Sequence, residues 1–252
     1  MRNVLKAETL ERKFPLLAVE HGCIVSKDAD LTVAFEVLLP EIYTVTGDEY
    51  EAIHSAWVKA IRVLPDYSVV CKQDWFVEET YRPDFDRDGQ SFLAKSYERH
   101  FNERPYLGHR CYLYLTKTTR ERSRRRSDFS TLCRGHILPR EIADRDTAAR
   151  FLEAVEQFER IMNDSGKVSL RRMPPEEITG TSERPGLVER YFSLSADDRS
   201  AVLEDICLEP GRMRIGDKQL CLHTLSAADD LPGRVETDMR YGRLSTDRSD
   251  CR

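Results

Sequence analysis

Phe14-Pro-Leu-Leu-Ala-Val-Glu20, Cys23-Ile-Val25 and Leu31-Thr-Val-Ala-Phe-Glu-Val-Leu-Leu39 are three apolar runs parted by turn residues at His21-Gly22 and Lys27-Asp-Ala-Asp30. Runs this short, rich in β-branched and aromatic residues and bounded by Gly and Asp, read as a strand hairpin followed by a third strand. Thr46 then stands three residues before Glu49, the spacing of a capping box. The apolar residues Tyr50, Ile53, Trp57, Ala60, Ile61 and Leu64 recur at helical spacing on one side of the segment it opens. Pro65-Asp66 stops that helix, and Tyr67-Ser-Val-Val-Cys-Lys-Gln-Asp-Trp-Phe76 reads as a fourth strand.

Further along the chain, the acidic turn Arg82-Pro-Asp-Phe-Asp-Arg-Asp-Gly89 leads into a helix expected from Gln90 to Glu103, with Phe92, Leu93, Tyr97 and Phe101 along one side. A strand is expected at Arg110–Lys117, and a helix at Asp146–Asn163 carries Ala149, Leu152, Val155, Phe158, Ile161 and Met162 on its apolar side. After Val168-Ser-Leu170, the prolines of Met173-Pro-Pro-Glu-Glu-Ile178 mark a subdomain boundary. Short helices are expected beyond it, at Pro185–Leu194 and Ala196–Cys207. This order of elements predicts an α+β fold: a mixed, largely antiparallel sheet of about six strands with helices mainly on one face, plus a small helical C-terminal subdomain. In residue terms the expectation is a main domain over 1–173, a helical subdomain over 174–228 that returns a strand hairpin to the sheet, and a polar tail over 229–252.

The composition fits a folded protein, with 252 residues, 40% of them hydrophobic. A formal charge of −5 argues against broad nucleic-acid binding, which favours a basic surface. No run of about 18 apolar residues is present, and the opening Met1-Arg-Asn-Val-Leu-Lys-Ala-Glu8 lacks the apolar core of a signal peptide. A cytoplasmic location is expected. The odd number of cysteines, seven, shows no disulfide spacing. Cys71, Cys111 and Cys221 fall in expected strands, where a free cysteine is commonly buried and inert.

Four candidate chemistries rest on particular stretches of the chain. Asp84-Phe-Asp-Arg-Asp-Gly89 reproduces the first half of a calcium loop, but its twelfth position, which should supply a bidentate glutamate, is Lys95; helix capping by Asp88 is the plainer reading. Cys133-Arg-Gly-His136, Cys221-Leu-His223 and His109-Arg-Cys111 could converge on zinc only if the fold brought them together, since none has finger or ribbon spacing. Arg120, Arg122, Arg124, Arg125 and Arg126 form a basic run that reads first as an exposed, solvated loop. As a candidate partner-binding loop it could meet DNA phosphates, an acidic partner or lipid headgroups, with a protein or membrane surface ahead of a base-specific DNA contact because no aromatic is interleaved for stacking on bases. Gly166-Lys167 lacks the earlier glycine and the following hydroxyl residue of a phosphate loop, and it leaves a helix to enter a strand, so it reads as a plain αβ turn. No Gly-x-Ser-x-Gly or His-Glu-x-x-His motif occurs, and no catalytic, cofactor-binding or metal residue is assigned.

The order Gly22-Cys-Ile-Val-Ser-Lys-Asp-Ala-Asp-Leu-Thr-Val-Ala-Phe-Glu36, acidic helix, Arg62-Val-Leu-Pro65, strand resembles the N-terminal domain of the ATPases that energise type IV secretion and conjugation. Asn3-Val-Leu-Lys-Ala-Glu-Thr-Leu-Glu-Arg-Lys-Phe-Pro15 and Met213-Arg-Ile-Gly-Asp-Lys-Gln-Leu-Cys-Leu-His-Thr-Leu-Ser226, with Leu231-Pro-Gly233 after it, are similar to the TraG family of conjugative transposons. The resemblance implies an assembly and docking domain that does no chemistry itself. ATP and magnesium belong, on this reading, to a C-terminal motor domain that the sequence does not contain. The partners it implies are inner-membrane components of the conjugation channel and other copies of the ATPase, with no sequence-specific nucleic acid and with membrane contact only through partners. It also implies a peripheral position at the inner face of the inner membrane. A structural or regulatory interaction module unrelated to secretion is the alternative, and a small metal-dependent enzyme built on Asp84–Asp88 is the third possibility.

Overall fold

The computed structural model describes residues 14–27, 30–41, 45–80, 91–102, 104–118, 145–194 and 204–223. Strands β1 (Leu16–Glu20) and β2 (Cys23–Ser26) form a hairpin. His21 and Gly22 at its tip both have positive φ, at 51° and 72°, as the tight turn joining two twisted strands requires. β3 (Leu31–Leu38) is the central strand. Along one edge it pairs with β5 (Pro105–Lys117), from Leu31↔Lys117 to Val37↔Cys111. Its other edge is shared end to end: β2 pairs at Leu31 and Thr32, and β6 (Ser169–Arg172) pairs at Phe35–Leu38. β4 (Ser68–Thr80) completes a six-stranded sheet of order β1-β2-β3-β5-β4, with β6 beside β3. Every pairing described is antiparallel, so the fold is α+β.

Two amphipathic helices cover one face. α1 (Gly47–Arg62) begins at the predicted capping box: Glu49 N–H donates to the Thr46 hydroxyl at 3.4 Å, and Thr46 N–H donates to the Glu49 carboxylate at 2.9 Å. It buries Ile53, Ala56 and Ala60, while Ile61, expected on that side, stays half exposed. The longest helix among the described residues, α3 (Arg145–Asp164), buries Phe151, Val155, Phe158 and Met162. Both pack on the alternate residues Val33, Phe35 and Val37 of β3 and Cys111, Leu113 and Leu115 of β5, and Trp57 meets Phe158 edge-on at 6.0 Å.

The opposite face, with Ile24, Ala34 and Tyr112, is covered by the segment beyond Pro174. α4 (Pro175–Thr179) inserts Ile178, and α5 (Leu187–Ser193) inserts Leu187; both close over Met173. Residues 174–194 therefore share the core of the main sheet. The prolines that suggest a boundary instead start a one-turn helix, where a missing N–H costs nothing. β7 (Ile206–Glu209), β8 (Arg212–Ile215) and β9 (Lys218–Leu220) pair with one another in a separate three-stranded sheet. The hairpin expected to return to the main sheet thus belongs to a small sheet of its own, and Ile206 and Cys207, expected as the end of a helix, begin a strand. Lys218 ties this sheet to α5 by donating to the carbonyls at its C-terminal end, Ser193 at 3.0 Å and Leu194 at 3.1 Å.

β4 and β5 outrun the sheet. They stay paired from Ser68↔Lys117 to Thr80↔Pro105, whereas β3 stops at the level of Cys111, so Trp75–Thr80 and Pro105–Arg110 project as a two-stranded arm. α2 (Phe92–Asn102) lies in the connection at the end of that arm.

Candidate functional site

Where β3 ends, the second face opens into a cavity of about 530 Å³ between the sheet and the α4–α5 segment. Its floor is Glu36 and Leu38 of β3, Arg110 and Tyr112 of β5 and Arg171 of β6; its wall is Glu176, Glu177, Thr181, Arg184 and Arg190. Four arginines stand against three glutamates in this lining.

Two of those arginines are committed to carboxylates. Arg171 donates Nε and Nη2 to Glu36 Oε2 at 3.0 and 2.6 Å, and Nη1 and Nη2 to the two oxygens of Glu177 at 2.8 Å each. Held first by Glu177 and then by Glu36, its guanidinium is pushed above its already high value, while the bonds from Arg171 hold the Glu177 carboxyl below the usual range. Arg110 reaches Glu79 on the arm at 3.0 Å, and Tyr106 donates its hydroxyl to the same carboxylate at 3.0 Å.

Arg190 differs from both. It is only 8% exposed, its guanidinium lies 5.9 Å from the centre of the Trp75 ring, and its Nε has no hydrogen-bond partner among the described residues. Arg184 stands exposed at the rim.

On the face covered by α1 and α3, a second polar group bridges β4 and β5. Asp74 accepts from Lys72 and shares a 2.9 Å bond with His109 Nε2, whose ring stacks on Phe76 with centroids 4.5 Å apart. Burial would raise the Asp74 carboxyl, but the bonds from Lys72 and His109 outweigh it and hold the group below its usual value. Cys111 lies directly across from Asp74. Burial pushes its thiol up to about 12, with the Asp74 carboxylate adding to the effect. A thiol raised this far stays protonated at neutral pH, the form that is not the nucleophile. The Cys, His and Asp arrangement serves instead as a polar cross-strand tie where β3 stops supporting the arm.

The sequence candidates fall in different places. His109 and Cys111 belong to the tie at Asp74. Cys221 and His223 lie just past β9, both exposed. Cys133, His136, the acidic turn Asp84–Asp88 and the basic run Arg120, Arg122, Arg124, Arg125 and Arg126 lie outside the described residues. Among the described residues no group of three or more His, Cys, Asp and Glu is placed to hold a metal ion. Gly166 takes φ 67° in the turn from α3 to β6, and Lys167 pairs with Glu49 of α1, which makes this the αβ turn expected. The cavity residues escape motif reading. Their trace in the sequence is Arg190, set three residues after the core residue Leu187 and so on the buried side of a short helix.

A family model described as a domain of unknown function, B. Theta Gene description (DUF3875), matches residues 3–55, which run through β1, β2 and β3 into α1. No curated protein matches the chain. The matched stretch lies on the opening strands and includes one cavity-floor glutamate, Glu36.

Proposed function

We propose that this chain is the N-terminal assembly and docking domain of a conjugative-transfer ATPase of the TraG kind, with no catalytic role of its own. The observation that carries this reading is the arm. α2, at its end, exposes Phe92, Leu93 and Tyr97 by 84, 77 and 68%, amid the polar residues Lys95, Arg99 and His100. Large apolar side chains grouped on one exposed element favour a protein partner, and aromatic residues are the commonest anchors of such contacts. The resemblance supports the same reading through its residues: those it places in Cys23–Ser26 and from Leu31 on belong to β2 and β3, and Arg62–Pro65 end α1, so they build the scaffold from which the arm projects.

On this proposal the arm docks onto inner-membrane components of the transfer channel. The domain sits at the inner face of the inner membrane and meets lipid only through those partners. Among the described residues no helix is long and apolar enough to cross a membrane. ATP, magnesium and self-association belong to a motor domain C-terminal to the docking domain.

Replacing Phe92, Leu93 and Tyr97 together by serine in the gene within its own host, and counting conjugative transfer, tests the proposal. A fall of about tenfold or more at unchanged protein level is expected, the loss that removing roughly 1.4 kcal/mol of docking energy gives. Unchanged transfer would contradict docking through the arm and favour an interaction module unrelated to secretion.

A further inference from the structure

We infer that the cavity at the end of β3 binds a small oxyanion, a carboxylate or a phosphate, held by the guanidinium of Arg190 with Arg184 closing on it from the rim. The cavity lies on the second face of the sheet and α2 at the end of the arm, so oxyanion binding and docking stand or fall separately.

A buried guanidinium needs acceptors in its plane. Arginine keeps its charge in any protein setting and carries five N–H donors in the plane of the group. Arg190 sets the centre of this group 5.9 Å from the centre of the Trp75 ring, a cation–π distance that answers part of its charge but supplies no acceptor to its edge of N–H donors. The described residues do not fill that edge. Nε has no partner among them, and the carboxylates nearby are engaged elsewhere: Glu177 gives both oxygens to Arg171, Glu36 is held by the same arginine, and Glu189 accepts the Gly186 N–H at 2.9 Å. Glu176 is the remaining carboxylate of the lining, and it stands exposed on α4. A charged donor buried without an acceptor is costly, and native proteins fill such positions with an ion, a ligand or water.

The surroundings select the ligand. A cavity of about 530 Å³ lies within the range of small-molecule sites. Tyr112 and Met173 supply apolar wall beside the charged groups. In the Glu36, Arg171 and Glu177 triad the hydrogen bonds of both Glu177 oxygens go to Arg171, so Glu177 attracts Arg190 through its charge but gives it no acceptor, and an incoming oxyanion supplies the bonds that the triad does not. A planar carboxylate or a phosphate matches the guanidinium fork with two parallel bonds, which an ammonium group in its place would not provide.

Calorimetric titration of the whole chain with sodium phosphate and, separately, with sodium citrate, at ionic strength matched by sodium chloride, tests the inference. For at least one probe the expected result is saturable binding with a dissociation constant of about 1 mM or tighter, weakened at least about tenfold in Arg190→Lys and in Arg184→Ala. Arg190→Lys keeps the charge and removes the fork; Arg184→Ala lies on the surface and keeps the fold if the lysine variant does not. Binding of phosphate alone or of citrate alone supports the site and names its oxyanion. No saturable binding of either probe, or equal binding by wild type and Arg184→Ala, overturns it.

Discussion

At the scale of single residues, burial and hydrogen bonding decide which side chains are reactive. Cys23 and Cys111 are buried with thiols raised by that burial, Arg172 partly opposing the rise at Cys23, while Cys71 and Cys221 face solvent. Alkylation at pH 8, with peptide mapping of the products, is expected to label Cys71 and Cys221 in the folded chain and to reach Cys23 and Cys111 only after denaturation. Early labelling of Cys111 would contradict the packing of β5. The sequence places Cys71 and Cys111 in strands and expects both to be buried, which holds for Cys111; β4 is an edge strand, and Cys71 on it is exposed. Asp74 gives a second, pH-dependent test. Its folded value lies below its unfolded value, so its contribution to stability is present above the unfolded carboxylate value of about 3.9 and is lost as pH falls through the folded value. Asp74→Asn is therefore expected to unfold at lower urea concentration than wild type at pH 7, and the gap is expected to narrow at an acid pH below the unfolded carboxylate value. An equal gap at both pH values would show that the carboxylate charge is not what matters at this position.

At the scale of elements, the fold rests on α1 and α3 packed over β3 and β5. Phe158 is fully buried at that junction, and Phe158→Ala is expected to cost about 3–5 kcal/mol in urea unfolding. Ile61→Ala, on a half-exposed position of α1, is expected to cost under about 1 kcal/mol. The link between α4 and α5 makes a sharper demand. A methyl group on Gly186 would lie 2.2 Å from the backbone nitrogen of Gly180, so Gly186→Ala must push the two segments apart and is expected to lower thermal stability clearly. If that variant melts with wild type, the close approach of the two segments is absent in solution. These elements show what a sequence discloses. The capping box at Thr46 and Glu49 and the His21-Gly22 turn are local patterns and stand where the spacing places them, whereas the apolar side of α3 holds at Val155, Phe158 and Met162 but is turned at its start, with Phe151 buried and Ala149 exposed. The placement of residues after Pro174 is not local. Which face of the sheet they cover depends on contacts of Met173, Ile178 and Leu187 with Ala34 and Tyr112, far away in the chain, and so does the assembly of Glu36, Arg171 and Arg190 around one cavity. A lone arginine at a buried helical position is the one mark these side chains leave in the sequence.

At the scale of the whole molecule, the packed and exposed parts divide cleanly. Both faces of the six-stranded sheet are covered where β3 runs, and beyond its end the arm carries α2 with Phe92 and Leu93 exposed to solvent. A domain whose stability resides in the sheet can present such an arm without depending on it. Serine at Phe92 and Leu93 is accordingly expected to leave the unfolding free energy within about 0.5 kcal/mol of wild type. Docking of this arm onto a membrane-bound channel component can be read in cells carrying out transfer, with a photo-crosslinking residue at position 93 compared with one at the exposed position Glu51 of α1. Position 93 is expected to join an inner-membrane component of the transfer apparatus, and position 51 is not. Equal adducts from both positions, or none from position 93 while transfer proceeds, would refute docking through the arm.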